Sequence, residues 1–137
     1  LVAVTTLAEL GDLRRFEHPA ELMSYLGLVP SENSTGTRVR RGAITKAGNG
    51  HVRRMLVEAA WAYRFRARVT QTLLKRQHGL RQPICEIAWK AQVRLCARYR
   101  RLWAKGKTKQ VITTAIAREL CAFMWAIAAK VEIPAAM

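Results

Sequence analysis

Along most of this chain apolar side chains recur every three or four residues, the repeat of a helix with one buried face. Leu1 to Leu10 is helix-like and stops at Gly11, and His18-Pro19 starts a short helix through about Leu26, proline being favoured in a first turn. The period returns at Asn49, an N-cap residue type. It places Val52, Met55, Leu56, Ala59, Ala60 and Tyr63 on one face of a helix reaching about Phe65. A further helix covers about Val69 to Gln77 and ends near Gly79. Pro83 opens a long one with Ile84, Ile87, Ala88, Ala91, Leu95, Tyr99 and Leu102 inward, interrupted at Gly106. Thr108 begins the last, with Ile112, Ile116, Leu120, Phe123, Ile127 and Val131 inward and Pro134 as its stop.

From Gly27 to Gly50 the period is lost among Pro, Ser, Asn and Gly. Arg38-Val39-Arg40 alternates, but the run is too short to build a sheet, so the segment reads as a long irregular loop. Loops of this length inside a small domain are functional or disordered. The expectation is one all-α domain, a compact helical bundle with one glycine-rich basic loop. The most apolar run, "LCAFMWAIAA" from Leu120 to Ala129, is ten residues long, which is short for a bilayer and reads as a buried helix.

Charge narrows the partners. The 137 residues hold 24 Lys and Arg against 9 Asp and Glu, a formal +15, which favours a polyanion. Nucleic acid fits best; a membrane surface fits poorly, because the basic residues do not share one amphipathic helix with an exposed apolar face. Cys85, Cys96 and Cys121 are far apart, which argues against a disulfide framework or zinc site and fits a reducing cytoplasm. Asp12 is the only aspartate and the glutamates are scattered, so a two-metal nuclease site is hard to assemble here. Gly106-Lys107-Thr108 lacks the earlier glycine of a phosphate loop, since Arg101 stands in its place.

Candidate chemistry gathers in and after the loop. Arg38, Arg40, Arg41, Lys46, His51, Arg53 and Arg54 crowd the start of the helix at Asn49, where free amides and the positive helix end already favour an anion. Glycines 42, 48 and 50 would let backbone approach a ligand. The plainer reading is a solvated basic loop. Lys90, Arg94, Arg98 and Arg101 form a stripe along one helix, which could follow a phosphate backbone or simply face solvent. Tryptophans 61, 89, 103 and 125 read as core, and His18 and His78 as capping or surface residues. Of the three serines, Ser24 lies in a helix, while Ser31 and Ser34 lie in the loop. A serine attacks phosphate only when its proton is removed and the phosphate charge is stabilised; arginines beside Ser34 meet the second need. Turn formation alone also explains Ser34.

Ordered motifs run through these elements: Glu9-Leu10-Gly11-Asp12, Phe16, Tyr25 through Pro30, Ser34-Thr35-Gly36, and Ile44 through Arg54. With the later "AWKAQVRLCARYRRL" and "AIARELCAFMWAI", they resemble, over nearly the whole chain, the C-terminal domain of a bacterial insertion-sequence transposase family. Its members carry an N-terminal RuvC-like domain and act as bridge-RNA-guided serine recombinases. The resemblance implies that Ser34 is the nucleophile forming a covalent phosphoserine–DNA link. It implies DNA as partner, a guide RNA, and a homo-oligomer at full length. Magnesium is expected only in the RuvC-like domain, whose acidic set is absent here, so residues 1–137 would be an N-terminally truncated transposase domain that does not complete recombination alone. Arg38, Arg40, Arg41, Lys46, Arg53 and Arg54 would hold DNA. Thr37 stands where many members have a second glycine. The competing readings are a non-catalytic basic module for DNA or RNA, and an inactive transposon relic.

Overall fold

The computed structural model describes residues 10–35, 38–46 and 48–130, with side chains described outside residues 30–43. The expected first helix (apart from Leu10), Val131 and Pro134 lie outside these bounds. After Gly11, whose φ of 71° is a left-handed backbone suited to glycine, Asp12 caps a single 3-10 turn at Leu13–Arg15. The carboxylate accepts from the Arg14 amide at 2.9 Å and from its guanidinium at 2.8 Å. Helix α1 (Pro19–Tyr25) follows with proline in its first turn, as the sequence predicts.

The segment expected to be irregular is a β-hairpin. Strand β1 (Pro30–Thr35) pairs antiparallel with β2 (Arg38–Ile44), with Thr35 opposite Arg38, Ser34 opposite Val39, Asn33 opposite Arg40 and Glu32 opposite Arg41. A register shift lies between Pro30 and Glu32. The alternation at Arg38-Val39-Arg40 was a strand signal after all; its partner strand is too polar to announce itself by pattern. The helical class holds for the packed body, and the hairpin projects from it.

Asn49 caps helix α2 (Gly50–Ala60), its Oδ1 accepting from the Val52 amide at 3.1 Å. A 3-10 turn at Trp61–Arg64 continues it. Thr70 caps α3 (Gln71–Gln77), which buries no residue. Helix α4 (Gln82–Ala104) buries Ala91, Leu95, Cys96 and Tyr99, and α5 (Lys109–Lys130) buries Ile112, Thr113, Ile116, Ala117 and Cys121. α5 is the centre of the body, packing against α1, α2, α4 and the turn at Leu13. At 22 residues, with an 18-residue window of mean hydropathy 1.5, it is long and apolar enough by length and composition to cross a membrane, contrary to the shorter run read from sequence. Part of that apolarity packs against three helices, and 28% of the apolar window is buried.

Leu22, Leu26, Leu28, Val52, Leu56, Leu95, Ile112 and Ile116 form one continuous core. Two tryptophans depart from the core expectation: Trp89 is 43% exposed and Trp103 63%. Trp61 and Trp125 pack against the core, and the Trp125 indole N–H donates to the Phe16 carbonyl at 2.7 Å.

Candidate nucleic-acid interface

The hairpin is anchored to the body at its base by backbone contacts. The Thr45 amide donates to the Val29 carbonyl and the Lys46 amide to the Gly27 carbonyl, both at 3.0 Å, while Leu28 is buried beneath. Lys46 takes a φ of 56°, a conformation uncommon for a side chain-bearing residue, at the point where β2 turns toward α2. Gly48 has a φ of 71°, and a Cβ there would fall 1.7 Å from the Tyr25 carbonyl oxygen. Its glycine is therefore required where the chain crosses the end of α1, a packing role that the sequence did not announce. At Gly50 a Cβ would meet the Arg53 guanidinium at 3.2 Å.

The residues expected to meet nucleic acid fall into three groups. Lys46, His51 and Arg54 are exposed around the start of α2. Arg53 is half-buried and donates to the Leu26 carbonyl at 3.1 Å, tying α2 to the end of α1. That bond satisfies a carbonyl at a helix terminus, a structural task that sequence spacing could not reveal. Ser34, Arg38, Arg40 and Arg41 are placed by their backbone register; their side chains lie outside the described set. The hairpin thus brings Ser34 and the arginines of β2 together along one ladder, and its base adjoins the N-terminus of α2.

The stripe on α4 is divided. Arg94 donates to Glu119 Oε1 on α5 through Nε at 3.0 Å and through its terminal nitrogen at 2.6 Å. Arg98 Nε lies 3.0 Å from Glu119 Oε2 as an ion pair whose angle is outside that of a hydrogen bond. Lys90 and Arg101 are exposed. Nothing in the sequence marks Glu119, because a lone glutamate 25 residues from Arg94 gives no pairing signal. Among the described residues no group of His, Cys, Asp and Glu could hold a metal ion. Burial pushes the Cys121 thiol up to about 12, so it is no nucleophile at neutral pH, while hydrogen bonds from Arg14 hold Asp12 down at about 2.

Comparison with known proteins now decides the lineage. Residues 1–75, more than half the chain, match the Transposase IS116/IS110/IS902 family. The chain belongs to that family. A protein of Sinorhizobium fredii named as transposase y4qE is 56% identical over 128 residues, covering 93% of this chain and 33% of the relative. The transposase for insertion sequence element IS1111A of Coxiella burnetii is 34% identical over 62 residues, 45% of this chain and 17% of its own length. This IS110-type chain therefore spans about a third or less of the curated relatives it matches. No solved structure matches it. The match over residues 1–75 takes in the hairpin and α2, so the candidate interface lies within the family-defining part.

Proposed function

We propose that this chain is the strand-joining part of an insertion-sequence transposase, binding DNA at the hairpin and the start of α2 and supplying Ser34 as nucleophile. The observation that carries the reading is the hairpin register: Ser34 lies in a paired strand opposite Val39, the position of Arg41 shares its face of the ladder, and the positions of Arg38 and Arg40 take the opposite face. A ladder fixes backbone more tightly than a free loop, and a nucleophile gains from a fixed approach. Exposed Lys46 and Arg54 extend the cationic surface toward the helix N-terminus, where phosphate is favoured.

In the reaction, Ser34 Oγ attacks a DNA phosphorus, losing its proton to a base. The phosphorus–oxygen bond to one deoxyribose breaks, and the departing alkoxide takes up a proton. A phosphoserine ester remains, and attack by a hydroxyl of the incoming strand restores the diester and frees the serine. Magnesium held by a RuvC-like portion, a guide RNA and a second protomer belong to the same reading. So does incomplete recombination by residues 1–137 alone.

The test is a denaturing-gel assay for covalent protein–DNA adduct, using the full-length transposase carrying this sequence and its element-end DNA. Ser34→Ala is expected to reduce adduct to background while DNA affinity stays within about twofold. Adduct persisting in that variant overturns the assignment.

A further inference from the structure

Between the 61–70 segment, α3 and α4 lies an open cleft of about 980 Å³. No Asp or Glu lines it; Arg66, Arg68 and Arg76 do, alongside Phe65, Trp89 and Gln92. All three arginines are exposed, and none has a carboxylate partner among the described residues. Trp89 is 43% exposed, and no described ring or cation stacks on it. The wall is built, not loose: the Gln92 amide donates to the Arg68 carbonyl at 3.1 Å, and Arg64 lies over the Phe65 ring at 4.0 Å and the Trp61 ring at 4.2 Å.

The geometry points to a binding site for an unpaired nucleotide segment, distinct from the hairpin surface. An open indole face accepts a base of any identity, and guanidiniums spaced around it match the flanking phosphates. A duplex hides its base faces and could use only the arginines, so the aromatic floor selects single strands. The cleft volume lies at the upper end of ligand pockets, ample for a nucleotide. Charge favours an anionic ligand with an aromatic part: three cations and no carboxylate share the cleft lining with the exposed ring. The sequence carried a trace of this in "YRFRAR", where aromatic and basic residues interleave from Tyr63 to Arg68.

Fluorescence anisotropy with labelled, unstructured strands of roughly 12 nucleotides, in DNA and RNA arms, tests the site against a duplex of the same length. Trp89→Ala is expected to weaken single-strand binding about tenfold and duplex binding less than twofold. Trp89→Phe keeps most of the affinity because a ring remains. The surface pair R66Q/R76Q, which leaves the aromatic floor intact, weakens single strands and flattens their salt dependence. The tighter of the DNA and RNA arms names the natural strand. No single-strand binding, or equal losses on single strand and duplex with Trp89→Ala, overturns the proposal. Ser34→Ala leaves these values unchanged, so failure here is separable from failure of the serine assignment.

Discussion

Arginines gathered at the two faces of helix α4 behave differently. On one, Arg94 and Arg98 point to Glu119 of α5 and their charge is spent inside the molecule. On the other, Cys85, Ala88, Trp89, Gln92 and Cys96 face the cleft, where the arginines come from neighbouring segments and meet no carboxylate. By helical periodicity Arg94 lies about half a turn from Cys85, so the two environments are back to back. Counting cations along the chain could not separate them. One acid, contributed by a helix distant in sequence, does.

The sharpest way to break this comparison is to damage the body that both faces share. Ile116 is fully buried at the centre of α5, so Ile116→Ala is expected to cost about 2–5 kcal/mol in urea unfolding. Loss of less than about 1 kcal/mol would mean α5 is not the centre of the fold. A smaller effect is expected at the hairpin base. Gly48→Ala must fit a Cβ against the Tyr25 carbonyl in left-handed backbone; the conformation alone costs roughly 1–3 kcal/mol, the carbonyl must shift as well, and thermal melts should register both. The same substitution at Gly79, left-handed but with open space around it, should cost less. Subtlest is the release of the paired arginines. Glu119→Ala frees Arg94 and Arg98, and nucleic-acid affinity should then fall more steeply with salt, by up to about two phosphate contacts in the slope. An unchanged slope would show that this face does not reach nucleic acid even when unpaired.

Much of the body was legible from periodicity. The caps at Asn49 and Thr108, the proline starts of α1 and α4, and the inward positions Val52, Leu56, Leu95, Ile112 and Ile116 follow from spacing and residue type. These signals are local, decided within one or two helical turns. The hairpin is not legible because β1, "PSENST", has no apolar alternation; its pairing partner lies across the turn, and strand stability there comes from the ladder. Trp89 and Trp103 are exposed despite their type, because an apolar residue type does not fix which side of a helix has a neighbour.

By itself, then, the sequence determined the helical class, the core-facing positions, the cationic character and, through its ordered motifs, the transposase lineage. Local propensity and composition suffice for the first three, and shared residues in order for the fourth. Only the tertiary structure decided which cations are committed: Arg53 to the Leu26 carbonyl, Arg94 and Arg98 to Glu119, and Arg66, Arg68 and Arg76 to an open cleft. The reason is that Coulomb and hydrogen-bond energies fall off over a few ångströms, so a charge is defined by its neighbours in space. Those neighbours were 25 and 27 residues away along the chain for Arg94 and Arg53.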